Sequence, residues 1–151
     1  MESDQDFQIT HLVAWMEGFA AIVIDHEQQL NELDAAIGDA DHGINMRRGM
    51  ELVAGELEDI AKLDFHLANR HIGMSLLRGI GGASGPLYST FFSKAGKAFD
   101  ECDGLTLKEF SVFFSTGVAG VQMRGHALAG EKTMLDALLP AAKALDRATQ
   151  E

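Results

Sequence analysis

Apolar residues at Ile9, Leu12, Val13, Met16, Phe19, Ala20 and Val23 recur at steps of three and four. That period places them on one face of a helix, which the pattern carries to about Leu33. The same spacing predicts a second helix from Ile44 to about Ile60 and a third from Phe65 to about Leu77. A fourth starts near Pro86 and carries Leu87, Phe91, Ala95 and Phe99. The fifth has the sharpest start, because Thr106 and Glu109 form a capping box ahead of Phe110, Phe113, Phe114 and Val121. The sixth carries Leu135, Leu138, Leu139, Ala142 and Leu145, and Pro140 is expected to kink it. No alternating run of strand length occurs. With short connections, about six helices become antiparallel neighbours, so the expected fold is all-α, an up-and-down bundle or barrel.

Composition agrees with the pattern. Ala, Leu and Met supply 44 residues against 20 Val, Ile and Thr, and there are only two prolines. A length of 151 residues predicts a single domain, 1–151. The net charge of −11 changes the functional picture more. A surface that acidic repels phosphate backbones and anionic lipid, so neither a nucleic-acid nor a membrane partner is expected. If a polyanion binds here, a cation must bridge it. The lone Cys102 excludes a disulfide framework and a multi-cysteine zinc site. With an acidic N-terminal stretch and no run of 18 apolar residues, the expected location is the cytoplasm.

Three connections hold the candidate chemistry. In the first, Asp34, Asp39 and Asp41 flank Gly38. On one unbroken helix Asp39 would lie about 140° from Asp34, so the carboxylates would not converge. A break at Gly38 lets the chain fold back and point all three inward, which requires a cation. All-oxygen ligands select Mg²⁺ or Ca²⁺. Counted from Asp39, an EF-hand fails, with Ile44 at position 6 and Met50 at position 12. Mg²⁺ with phosphates completing its shell fits better, while a solvated turn with an N-capping aspartate accounts for the same spacing.

The second connection places Gly79, Gly81, Gly82 and Gly85 within seven residues, with Ser84 positioned to cap the next helix and Pro86 in its first turn. Such a loop suits a phosphate at a helix N-terminus, or simply a tight helix–helix turn. It is not a Rossmann fingerprint, since Ser84 stands where the third glycine belongs. The third connection, Gly125 to Thr133, nearly imitates a Walker A loop, but Glu131 intrudes before Lys132 and no strand precedes it. His66 and His71 lack any metal-motif context, and Ser84 has no triad partners.

Taken in order, the stretches Leu33–Met46, Gly81–Leu87 and Gly130–Asp136 resemble the nucleotide-binding L subunit of dihydroxyacetone kinase, over nearly the whole chain. The resemblance implies an antiparallel helical barrel with a nucleotide, ADP or ATP, at one end. It implies that Asp34, Asp39 and Asp41 hold two Mg²⁺ ions. His42, Gly43, Ile44 and Asn45 would line that site, with Gly82, Ala83 and Ser84 at the phosphate-facing loop and Gly125 and Met134 at the nucleotide. The stretch Asp41–Asn45 is similar to the phosphotransferase-system-dependent kind. There a phosphohistidine on an M subunit is the phosphoryl donor, relayed through Mg-bound ADP to dihydroxyacetone on a K subunit. A transcriptional regulator is a further implied partner. The family has eight helices and continues into a glycine-rich closing segment, so a chain of six is expected to lack that C-terminal part. The alternatives are a non-catalytic nucleotide-binding module that regulates a partner, or the L-type domain of an ATP-dependent dihydroxyacetone kinase.

Overall fold

A computed structural model describes residues 6–102 and 104–150, so the outermost residues of the expected 1–151 domain lie outside it. The chain runs β1 (Phe7–Gln8), α1 (Ile9–Asp25), α2 (Glu27–Ala35), α3 (His42–Ile60), α4 (Phe65–Gly79), α5 (Ser84–Gly96), β2 (Gly104–Leu105), α6 (Leu107–Gly125) and α7 (Leu135–Ala148). From α2 onward each helix packs on the next, and α1 packs chiefly on α3. The fold is all-α, as the periodicity predicts. No helix among the described residues is long and apolar enough to cross a membrane.

The helix count is corrected from six to seven among the described residues, because the segment expected to run from Ile9 to Leu33 breaks at His26. His26 leaves helical geometry at φ −103°, ψ 15°, and its ring Nδ1 lies 2.8 Å from the Ile22 carbonyl oxygen. The same carbonyl also accepts the His26 backbone N–H at 3.1 Å, so ring and amide converge on the last turn of α1. Beyond the break α2 has no fully buried residue, and the half-buried Leu30 is its contact with the core. A second correction is the two-residue pair β1–β2, antiparallel with Phe7 opposite Leu105. It is too short to show as alternation.

Other starts follow the sequence closely. At α6, Thr106 Oγ1 accepts from the Glu109 N–H at 3.3 Å, and Glu109 Oε2 accepts from the Thr106 N–H at 2.9 Å. At α5 the expected cap shifts by one residue: Ala83 holds the N-cap position without a side-chain bond, and Ser84 is already helical. The helix α7 continues through Pro140.

Phe65, Phe92 and Phe113 are the largest fully buried side chains, joined by Leu12, Met16, Met46, Met50 and Ile72. Phe65 meets Phe113 edge-on at 5.5 Å between ring centroids, and Phe91 meets Phe92 at 5.1 Å. The tilted ring geometry is the favourable one for aromatic quadrupoles. His71 Nε2 contacts Glu56 Oε2 at 3.0 Å, and Glu56 also accepts from Ser75, so this histidine packs α4 against α3. Between α1, α5, α6 and α7 lies an apolar cavity of about 230 Å³, reached by Trp15, Phe19, Tyr88 and Met134.

Candidate metal and nucleotide site

The carboxylates converge because helix α2 stops at Ala35. The Ile37 and Gly38 amides both donate back to the Asp34 carbonyl, at 3.0 and 2.6 Å, closing a tight turn. Ala40 then takes φ 63°, a left-handed conformation that costs a non-glycine residue about 1–2 kcal/mol. Asp41 returns its N–H to Asp34 Oδ2 at 3.1 Å. One carboxylate oxygen from each of Asp34, Asp39 and Asp41 lies within 4.8 Å of the other two. Asp34 and Asp41 are half-buried, and Asp39 is exposed.

None of the ion pairs among the described residues involves these three. Hydrogen bonding with the Asp41 carboxyl, and then its charge, push the Asp39 carboxyl above the usual carboxylate range, with Asp34's charge adding to the effect. Three facing oxygen donors with no cation of their own are the donor set of a hard divalent ion, and Mg²⁺ fits it.

The first turn of α3 is fixed in two directions. Toward α2, the Ile44 N–H donates to Asn31 Oδ1 at 3.1 Å. A Cβ on Gly43 would run into the Glu27 carbonyl oxygen and stand 2.8 Å from Asn31 Oδ1, so only glycine allows this approach. Toward the glycine loop, Arg48 donates through Nε to the Gly79 carbonyl at 2.7 Å and through Nη2 to Asn45 Oδ1 at 3.0 Å. Asn45 thereby faces Gly81, where an added Cβ would lie 2.6 Å from Asn45 Oδ1. The first two loops are thus brought together through Asn45. His42, half-buried, is the first residue of α3.

Gly82 has φ +67° with nothing within 4 Å of an added Cβ, so its backbone lies open. Ala83 beside it is exposed and Ser84 half-buried. Gly125, at the end of α6, approaches α5: a Cβ there would meet Leu87 Cδ2 at 3.3 Å. Met134 stands apart from the carboxylates and lines the apolar cavity. The third loop is held by its own acids. Asp136 accepts from the Gly130 and Lys132 amides at 2.6 and 2.9 Å, and Glu131 from the Leu128 amide at 2.8 Å.

Sequence reasoning missed Asn31 and Arg48, the two side chains that position the first turn of α3. Their partners are a backbone amide 13 residues away and a carbonyl 31 residues away, and no local pattern encodes those pairings.

The chain is 40% identical over 142 residues to the ADP-binding subunit DhaL of PEP-dependent dihydroxyacetone kinase from Escherichia coli (strain K12), covering 94% of this chain and 68% of that protein. It is 37% identical over 149 residues to the DhaL subunit of PEP-dependent dihydroxyacetone kinase 1 from Listeria innocua, covering 96% of this chain and 71% of that one. Among solved structures, the dihydroxyacetone kinase from C. freundii in complex with AMP-PNP and Mg²⁺ superposes with a TM-score of 0.75 at 30% identity, over 95% of this chain and 26% of that chain. The DAK2 domain model matches residues 36–151, beginning two residues after Asp34 and taking in Asp39, Asp41 and both later loops. That match covers well over half of the sequence, and with the identity to the E. coli subunit it shows that the chain belongs to the DAK2 domain family.

Proposed function

We propose that this chain is the ADP/ATP-binding subunit of a phosphotransferase-system-dependent dihydroxyacetone kinase. The observation that carries the reading is the convergence of Asp34, Asp39 and Asp41, which join none of the ion pairs among the described residues, on the turn that leads into Asn45 and its contact with the glycine loop. The family relationship supports it, because relatives of this chain are named as ADP-binding kinase subunits. A solved relative carries a nucleotide analogue with Mg²⁺.

In this reading the three aspartates hold Mg²⁺, two ions by the family resemblance, and the metal when bound neutralises phosphate charge during phosphoryl transfer. The chain's own residues supply position. The first turn of α3, His42 to Asn45, is fixed by Asn31 and Arg48 beside the carboxylates. The open backbone at Gly82, Ala83 and Ser84 presents the N-terminus of α5, with its free amides, to the phosphates. Gly125 and Met134 bound the far end of the nucleotide, toward the apolar cavity. By the family resemblance, the acceptor dihydroxyacetone is held on a K subunit and the donor phosphohistidine comes from an M subunit.

Two measurements test this. Native mass spectrometry of the purified chain is expected to show ADP and Mg²⁺ together. Dihydroxyacetone phosphate is expected to form only when both K and M subunits are supplied. Turnover of free dihydroxyacetone by the chain alone with Mg·ATP would refute the subunit reading. Turnover with ATP and K alone would mark the ATP-dependent kind.

A further inference from the structure

The turn that carries the metal aspartates also exposes an isoleucine almost completely. Ile37 is 95% exposed, the barest large apolar side chain among the described residues, and it lies two residues before Asp39. Leu33, four residues earlier, and Ile44, in the first turn of α3, are exposed as well. Single exposed apolar residues are ordinary, but a bare one at the tip of a tight turn beside a charged site has a cost in water that its own fold does not offset.

Its surroundings state what could cover it. From residue 25 to 41 the chain has six carboxylates and no Lys or Arg. Of these only Glu27 has an ion-pair partner among the described residues, Arg47 at 2.9 Å. The tip is therefore apolar with an acidic surround, and its complement is an apolar pocket edged by Lys or Arg. A reacting group on another protein must come close to a site held by Asp34, Asp39 and Asp41, and Ile37 is part of the same turn, its amide donating to the Asp34 carbonyl at 3.0 Å.

We infer that Ile37 is the anchor by which a partner protein docks over the metal turn, entering an apolar pocket edged with basic residues. The inference rests on the proposed function, and names the chemistry of the partner at that same site. Burying one isoleucine from this exposure corresponds to about ten- to a hundredfold in affinity. The acidic surround sets the approach, so association slows as salt rises.

The test compares the wild-type chain with Ile37→Ser and Ile37→Leu, using the dihydroxyacetone-binding K subunit as the partner and the M subunit as donor. Dihydroxyacetone phosphate formation is followed against K-subunit concentration, and Mg·ADP binding is measured separately by calorimetry. The expected result for Ile37→Ser is an apparent KM for the K subunit raised about ten- to a hundredfold, with kcat at saturation unchanged. Mg·ADP affinity stays within about twofold, and Ile37→Leu restores the KM. An unchanged KM in Ile37→Ser overturns the inference. So does loss of Mg·ADP binding in Ile37→Ser, which would assign the side chain to the nucleotide instead. A wild-type chain that neither binds Mg·ADP nor supports transfer overturns the functional reading, and the docking inference with it.

Discussion

Replacing Gly43 by alanine tests the seat of α3 on α2, and Gly55→Ala on the same helix is the control. An alanine Cβ at 43 would sit 2.8 Å from Asn31 Oδ1 and closer still to the Glu27 carbonyl oxygen. Non-bonded heavy atoms rest at about 3.5 Å, so the Glu27 backbone must withdraw by about 1.5 Å. The nearer obstacle is backbone, which cannot swing aside. Overpacking of this kind costs about 1–3 kcal/mol. Near a helix start, alanine recovers little of that through propensity. At Gly55 an added Cβ meets nothing within 4 Å, so alanine gains about 0.5–1 kcal/mol. In thermal denaturation Gly43→Ala is expected to lower Tm by about 2–12 °C, and Gly55→Ala to raise it by about 1–4 °C. Parting the helices also stretches the 3.1 Å bond from Ile44 to Asn31 and moves Asp41 relative to Asp34. Calorimetry is therefore expected to show Mg·ADP affinity down by about tenfold or more for Gly43→Ala and unchanged for Gly55→Ala. A Gly43→Ala protein that melts at or above the wild type and binds Mg·ADP normally would refute this account of the α2–α3 contact.

Chelation is expected to abolish ADP binding, since the three carboxylates then face a diphosphate with no cation between them; calorimetry in excess chelator checks this. Gly82→Ala forces a side chain to φ +67° at a cost of about 1–2 kcal/mol, and nucleotide affinity should fall while circular dichroism stays helical. Thr106→Ala removes the hydroxyl that caps α6 and should cost about 1 kcal/mol by urea denaturation. The Thr106 amide and then its hydroxyl hold the Glu109 carboxyl below the usual range, so this pairing stabilises the fold at neutral pH and is lost as pH falls through the lowered pKa. Glu109→Gln should accordingly flatten the acid limb of the stability curve.

The fold was legible where local chemistry decided it. The capping box at Thr106 and Glu109 located the start of α6, and the apolar period located the cores of α3, α4 and α7. The break at His26 was not legible, because Leu30 and Leu33 continue the apolar period and no glycine or proline marks the site. At the site, Gly38 between Asp34 and Asp39 allowed a turn that gathers the aspartates, while the same spacing equally fitted a solvated turn. The placement of Ser84 was off by a residue because Ala83 occupies the cap without a side-chain bond. Asn31 and Arg48 were invisible, since each acts on a partner that only the packed helices bring near.

The small β1–β2 clasp bears on how the chain folds in time. Most of the packing joins helices adjacent in sequence, so hairpins such as α4–α5 and α5–α6 can assemble locally and quickly. The clasp instead joins Phe7 to Leu105, closing a loop of 98 residues for two residue pairs. Loop closure of that length costs about 4 kcal/mol in chain entropy, more than two short pairs return. Phe7 also packs its ring on Phe65 of α4 and Phe110 of α6, so the clasp forms once those two helices are in place to receive it. During synthesis, the N-terminal strand must wait for residue 105 to emerge. The clasp therefore reports completion: hydrogen-exchange protection at Phe7 and Gln8 should appear last of all, after every helix between them and β2 has already become slow to exchange.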